Sequence, residues 1–284
     1  MEITSKTKQL GVIGHPIGHS FSPALHSFIA RVTGDDYVYT AFHVLPENVG
    51  DAIRGMRALG IRGINVTAPH KLAVMEYLDE ISPQAALLGS VNTIVNNNGR
   101  LCGYNTDGEG FYRALVNAGI NAEGAKILVM GCGGVVKPTL TRIIQAKPES
   151  ITLVNRTKAK CEAMSEKLYE STGFRVKTEL ESFDFDIVLN TTSAGMAPQL
   201  DALPIDSIYE IESCDFIHSG MACVDMIYNP EETLFLREAR KRGAKTLNGL
   251  DMLIYQGIIA NELFMNRKLP EGIANQIRRE VFKR

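Results

Sequence analysis

Short apolar runs alternate with longer amphipathic stretches along the whole chain. LGVIG (10–14) is a continuous apolar run closed by glycine and predicts a buried strand. SPALHSFIARVTG (22–34) predicts a helix, with Ser22 placed to cap it, Pro23 in its first turn and Gly34 at its end. YVYTAFHV (37–44) is β-branched and aromatic and predicts a strand. PENVGDAIRGMRALG (46–60) returns to helical spacing, with Val49, Ile53, Met56 and Leu59 on one face. IRGINVT (61–67) predicts the next strand, and PHKLAVMEYL (69–78) a helix opened by proline. SVNTIVNNNGRLCGYNTD (90–107) reads as a hairpin turning at Asn98-Gly99. These residues make an α/β unit of their own.

The pattern then resumes with a different punctuation. KILVMGCGGVVKPTLTRII is strand, glycine turn and helix; SITLVNRTKAKCEAMSEKL is strand and helix; FDIVLNTTSAG, MACVDMIY and AKTLNG each begin with a strand. Strands that alternate with helices predict a parallel sheet covered on both faces. LDMLIYQGIIANELFMNR (250–267) is an apolar helix with no strand after it, and a short helix follows Pro270. The expected division is therefore residues 1–107, 108–248 and 249–284, the last part being helices laid back on the first domain. No internal repeat or low-complexity tract interrupts this order.

Composition narrows the function classes. The chain has 284 residues, 45% apolar and 22% charged, with a net charge of −2. That balance is globular and gives no reason to expect nucleic acid or an anionic membrane surface as partner. No apolar run approaches the roughly 20 residues needed to span a bilayer, and the first residues lack a signal-peptide core. A cytoplasmic location is expected. Cys102, Cys132, Cys161, Cys214 and Cys223 are odd in number, scattered and without a C-x-x-C pair, so they read as idle thiols. His15 and His19 are interrupted by Pro16 and Gly18, which spoils a helical ligand face; no metal is expected.

Gly131, Gly133 and Gly134 follow an apolar strand and precede a helix. In that context the glycines permit a tight turn and let backbone N–H groups approach a pyrophosphate at a helix N-terminus. The third glycine directly follows the second, a departure from G-x-G-x-x-G. The second strand of this unit ends in Asn155, Arg156 and Thr157, with Lys158 and Lys160 behind and no carboxylate before Glu162. An NAD site would place an acidic residue there for the ribose hydroxyls. The planar fork of Arg156 and the hydroxyl of Thr157 instead suit a 2′-phosphate, which points to NADP. Basic residues also oppose the dipole of the helix they start, and a bound anion would relieve that.

Polar residues of the first unit gather at strand ends: Ser20 and Ser22, then Asn65 and Thr67 with Lys71 after them, Asn92 and Thr93, and Asn105, Thr106 and Asp107. Strand ends of an α/β sheet face a common crevice. Hydroxyls, amides, one amine and one carboxylate suit a small substrate that carries hydroxyls and a carboxylate. Each residue singly also fits a cap or a turn.

GHPIGHSFSP, NVTAPHK, GSVNT, GYNTDGEGF, GCGGVVK, NRT, NTTSAGM and GLDMLIYQG stand in the order in which shikimate dehydrogenases carry them, and the chain resembles that family from Gly11 to about Gly257. The resemblance implies an α/β fold with a split N-terminal substrate domain and a Rossmann-type parallel-sheet NADP domain. It implies NADPH-dependent, reversible reduction of 3-dehydroshikimate to shikimate in aromatic amino-acid biosynthesis. By motif, Lys71 and Asp107 would be the catalytic pair and Ser20 and Ser22 would hold the substrate carboxylate. Asn65, Thr67, Asn92, Asp107 and Gln256 would hold ring hydroxyls, with Tyr228 lining the substrate side. Gly131, Gly133 and Gly134 would face the pyrophosphate, and Asn155, Arg156, Thr157 and Lys160 the adenosine phosphate. Thr191, Met252 and the backbone at Gly249 would complete the cofactor site. The implied partner is a small molecule, and the assembly a monomer or homodimer.

The chain departs from the family pattern where Val135, Val136 and Lys137 follow the glycines, where Cys132 replaces a common alanine, and where Ala68 stands in NVTAPHK. Quinate-oxidising relatives carry an acidic residue after the NR pair, where this chain has Thr157. A quinate/shikimate paralogue with relaxed substrate or cofactor choice stays open as the alternative. A non-catalytic dinucleotide sensor is disfavoured by the presence of Lys71 and Asp107. A methylene-tetrahydrofolate-type dehydrogenase is disfavoured by the serine pair and the NTD motif.

Overall fold

A computed structural model describes residues 2–209 and 214–283. They form two compact units: one holds the chain up to Asp107 and again from Ile254, the other runs from Gly108 to Leu253. The return to the first unit thus falls inside a helix.

The first unit contains β1 (Lys8–Gly14), α1 (Ser22–Thr33), β2 (Tyr37–His43), α2 (Val49–Ala58), β3 (Gly63–Val66), β4 (Glu80–Ile81), α3 (Pro83–Leu88), β5 (Thr93–Asn97) and β6 (Arg100–Tyr104), and α4 (Asp107–Asn117) leads out of it. Its sheet has the order β2-β1-β3-β5-β6-β4. β1 runs parallel to β2 and β3, while β3, β5 and β6 are antiparallel. The β5–β6 hairpin turns on Asn98 and Gly99, both at positive φ (54° and 92°), the backbone that a two-residue turn between right-twisted strands requires. Ile13, Ile64, Val66 and Ile94 pack with Val49, Ile53 and Met56 of α2 into one core.

Three local expectations are corrected. Ser22 does not cap α1: it is the first helical residue, Phe21 holds the N-cap position, and no side chain caps. Leu59 lies beyond the end of α2 and is 74% exposed, so the apolar face stops at Met56. Residues 69–78 are not an α-helix but turns followed by a 3₁₀ segment, Ala73–Tyr77. The Lys71 carbonyl accepts from Val91 N at 2.8 Å, which draws it towards the strand segment rather than into a helical ladder.

The second unit contains β7 (Lys126–Met130), α5 (Val136–Ile144), β8 (Ser150–Val154), α6 (Lys158–Thr172), β9 (Ile187–Asn190), α7 (Asp206–Tyr209), β10 (Ala222–Asp225), α8 (Leu234–Lys241) and β11 (Lys245–Leu247). Its five strands are all parallel, in the order β11-β10-β9-β7-β8. Alternate residues feed two cores. Ile127 and Val129 pack with Leu140 and Ile143 of α5 and Leu168 of α6. Leu128 and Met130 pack with Phe235, Leu236 and Ala239 of α8. Helices on both faces explain why these strands are unbroken apolar runs. From β7 the chain moves outward to β8 on one side, and β9 pairs with β7 on the other. The C-terminal ends of β7 and β9 therefore flank a topological switch point, where a crevice opens.

Two helices close the chain, α9 (Leu250–Met265) and α10 (Ile273–Val281). Beyond Ile254, α9 is tied to the first sheet: Asn261 Nδ2 donates to the Tyr37 hydroxyl at 2.8 Å, and Arg62 Nε donates to the Phe264 carbonyl at 2.7 Å.

Candidate active site

In the first unit, Asp107 starts α4 directly after β6, and Lys71 sits in the turn after β3. The Lys71 Nζ lies 2.6 Å from Asp107 Oδ2. Asn92, ahead of β5, donates through Nδ2 to Asp107 Oδ1 at 2.7 Å and to Thr106 Oγ1 at 2.9 Å. Its Oδ1 accepts from the Thr106 backbone N–H at 2.9 Å and from the Thr93 hydroxyl at 3.0 Å. Asn65 on β3 donates to Thr93 Oγ1 at 3.0 Å and accepts from the Tyr39 hydroxyl at 2.8 Å. Asn65, Asn92, Thr93, Thr106 and Asp107 are all buried, so their mutual bonds are what makes the arrangement tolerable. At Lys71, whose side chain is 28% exposed, this chain of bonds reaches solvent. The arrangement presents an ammonium aimed by a buried carboxylate, which can supply a proton to a substrate oxygen and recover it from water.

The serine loop reaches the same network from its other end. Burial pushes the Tyr39 phenol well above its ordinary value, and a hydrogen bond with Ser22 opposes that. Ser20 Oγ accepts from the Ser22 backbone N–H at 3.3 Å, which holds the loop before α1. Thr67 is half-buried after β3, its N–H bonded to the Ile13 carbonyl at 3.0 Å. Gln256 is half-buried on the part of α9 that belongs to this unit. Thr93 and Thr106 stand among the strand-end polar residues read from sequence but carry no assigned role there, and Tyr39 is not among them. Tyr37 and Tyr39 stand two apart on a strand, hence on one face, and two buried phenols there need partners; that was the available signal.

In the second unit, a cleft of about 320 Å³ lies at the switch point, among Gly131, Gly133, Asn155, Arg156, Thr157, Lys160 and Thr191. Gly131 has φ +103°, and a Cβ there would meet Thr191 Oγ1 at 2.7 Å, so this glycine is required by the fold itself. Beside Gly134 a Cβ would meet nothing within 4 Å, and beside Gly133 only the Thr191 carbonyl at 3.9 Å. The protein leaves open space there, as a cradle for a phosphate group would. Thr157 holds the N-cap position of α6 without a side-chain cap bond. Arg156 is exposed and has no ion pair among the described residues, whereas Lys158 is taken by Glu179 at 2.6 Å. The residues present thus fit a dinucleotide that carries a 2′-phosphate.

Three of the cofactor residues named from sequence, Gly134, Gly249 and Met252, fall outside the lining of this cleft, and Tyr228, named for the substrate side, is not part of it either. Gly134 lies just beyond it. Gly249 abuts Met226, whose carbonyl oxygen a Cβ would meet at 2.1 Å, so packing alone demands a glycine. Met252 packs against the α5–α6 side of the core. Tyr228 is half-buried after β10, and burial raises its phenol. Among the described residues, no three His, Cys, Asp or Glu side chains are grouped to hold a metal, and no helix is long and apolar enough to cross a membrane.

A glycine-looped parallel sheet, in one chain with an amine held by a buried carboxylate, defines a dinucleotide-dependent α/β dehydrogenase. Residues 12–94 match the model of the shikimate dehydrogenase substrate binding domain. A shikimate dehydrogenase (NADP(+)) from Methanothermobacter thermautotrophicus is 37% identical over 99% of this chain and 99% of its own length. The chain belongs to the shikimate dehydrogenase family. A crystal structure of a shikimate dehydrogenase in complex with NADP+ superposes with a TM-score of 0.91 at 38% identity, covering 99% of this chain and 97% of that one. The Listeria monocytogenes shikimate 5-dehydrogenase, solved with shikimate and NAD, gives 0.86 at 34% identity, covering 98% of each chain.

Proposed function

We propose that this protein reduces 3-dehydroshikimate reversibly to shikimate with NADPH, a step of aromatic amino-acid biosynthesis. The observation that carries the reading is the Lys71–Asp107 pair at 2.6 Å, closing a buried polar network. NADPH, when bound, supplies the hydride. As the ring ketone is reduced its oxygen gains negative charge, and the Lys71 ammonium stabilises that charge and gives up a proton. Asp107 keeps the ammonium aimed, and Asn92 keeps Asp107 in place. Ser20 and Ser22 offer hydroxyl donors to the substrate carboxylate. Asn65, Thr67, Asn92, Asp107 and Gln256 hold ring hydroxyls, and Tyr228 lines the substrate side.

For the cofactor, Gly131, Gly133 and Gly134 would hold the pyrophosphate, and Asn155, Arg156, Thr157 and Lys160 the adenosine end. Met252 and the backbone at Gly249 would stand towards the nicotinamide, and Thr191 would complete the cofactor site beside the glycine loop. We assign the substrate role to residues 1–107 and the NADP role to 108–248, with the C-terminal helices of 249–284 returning to the substrate unit from Ile254 and carrying Gln256. The enzyme works on small molecules in the cytoplasm, as a monomer or homodimer, with neither nucleic acid nor membrane as partner.

The test is the rise of absorbance at the reduced-nicotinamide band with purified protein, shikimate and NADP. Turnover is expected with shikimate and NADP, and much less with quinate or NAD. A faster rate with quinate would assign the chain to the quinate/shikimate alternative. No turnover with either acid would sink the reading.

A further inference from the structure

We propose that Cys132 and Cys161 are a redox-sensitive thiol pair that closes to a disulfide and thereby gates the dinucleotide cleft. This rests on the reading of the glycine loop as the NADP(H) site. Cys132 lies within that loop and lines the cleft beside Arg156 and Lys160. Its thiol is half-buried and donates to the Lys160 carbonyl at 3.4 Å. Lys160 immediately precedes Cys161 near the start of α6. Cys161 is 1% exposed, in the core cluster against which Cys132 packs. One sulfur therefore faces the cleft, and its partner waits directly behind it.

The electrostatics separate their roles. A hydrogen bond from the Cys161 thiol draws Cys132 down to about 7, and the nearby Lys160 and Lys167 add to this. The same bond, together with burial, pushes Cys161 up. Cys132 is thus the more acidic of the two thiols and is partly ionised at neutral pH, the reactive form arising when it gives up the proton it otherwise donates to Lys160, while Cys161 is the protonated resolving thiol. Elsewhere burial pushes Cys214 up to about 11 and Cys223 up to about 12, so those thiols stay protonated and shielded.

The oxidant is a hydroperoxide. The Cys132 thiolate attacks its terminal oxygen; the O–O bond breaks, and the departing alkoxide or hydroxide takes a proton. Cys132 is left as a sulfenic acid. The Cys161 sulfur then displaces the hydroxyl from that sulfur; the S–S bond forms and water leaves with the Cys161 proton. In sum, two thiols and one hydroperoxide give a disulfide, an alcohol or water, and a second water. The bond ties the glycine loop after β7 to the first turns of α6, so the loop is no longer free to settle on a pyrophosphate.

The experiment treats the wild-type enzyme with hydrogen peroxide, with and without saturating NADPH. Free thiols are then blocked, and the digest is mapped by mass spectrometry. A Cys132–Cys161 peptide is expected, and it should be suppressed by NADPH. NADPH titration should show affinity weakened by at least about tenfold after oxidation and restored by dithiothreitol. In Cys161→Ala the disulfide cannot form, and Cys132 should be trapped as a dimedone-reactive sulfenic acid. Oxidation of other cysteines without this peptide would overturn the proposal, as would equal NADPH affinity before and after cross-linking. Failure of the reduced enzyme to bind NADPH would overturn the cofactor reading instead, and the disulfide map does not depend on that result.

Discussion

Asn92 donates its side-chain amide to one oxygen of the Asp107 carboxylate at 2.7 Å and leaves the other oxygen to an amine. Both residues are buried, at 3% and 6% exposure, so neither can exchange its partner for water. Asn92→Ala strips a partner from Asp107 Oδ1, from the Thr106 N–H and from the Thr93 hydroxyl at once. A loss of about 1–3 kcal/mol is expected, from leaving buried polar groups unpaired. Urea unfolding measures it, and kcat should fall with it because Asp107 is no longer held. A variant as stable and as active as wild type would remove Asn92 from the network.

Lys71→Ala removes the proton donor without touching the serine loop. We expect kcat to drop by about 10²–10⁴-fold while KM for shikimate changes little. Steady-state kinetics decide this; turnover within a few-fold of wild type would end the acid–base role.

Arg156→Ala should discriminate between the two dinucleotides. A charged hydrogen bond to a phosphate contributes about 1.5–3 kcal/mol, or roughly 10- to 150-fold in affinity. NADPH should weaken by that factor and NADH hardly at all. Equal losses for both would remove the 2′-phosphate from the account.

Gly131 and Gly134 should separate fold from ligand. At Gly131 an alanine meets Thr191 and must take φ +103°. Gly131→Ala is therefore expected to lower Tm, with strain of about 1–3 kcal/mol. Gly134→Ala has open space, should keep Tm, and should weaken NADPH where the methyl group intrudes on the phosphate. The reverse pattern would contradict the loop geometry.

His26 makes stability pH-dependent. It is buried, stacked on Tyr39 with ring centroids 4.2 Å apart, and its Nδ1 has no hydrogen-bond partner. Burial lowers its pKa from 6.5 to about 3. The unfolded chain therefore takes up a proton below about pH 6.5 that the fold refuses, and stability falls as pH drops from there towards 3. The slope approaches about 1.4 kcal/mol per pH unit for this one group. His26→Phe keeps a ring against Tyr39 and removes the titrating group. The stability gap between wild type and variant should shift towards the variant from pH 7 to pH 5; a gap independent of pH would refute it.

The class of fold and the chemistry were legible along the chain because they rest on local rules. Continuous apolar runs marked the strands that helices cover on both faces. Asn98-Gly99 marked the hairpin, and Gly131 the turn that no other residue tolerates. Arg156 stood where an NAD site would place a carboxylate. What failed were features that depend on a partner distant in sequence. Residues 69–78 have helical spacing, yet the Lys71 carbonyl is bonded to Val91, and the helix does not form. Ser22 has the chemistry of a cap, but the chain enters α1 one residue earlier.

The sequence alone, then, determined the elements, their covering and the residue types available for catalysis. Tertiary structure decided which of those residues meet. Tyr39, Asn65, the Asn92–Thr93 pair and Asp107 lie on four separate segments, and apart from the bond within Asn92–Thr93 the bonds that join them run between segments distant in sequence. Their bonds exist because the mixed sheet buries them together, and a buried polar group is stable only where another completes it.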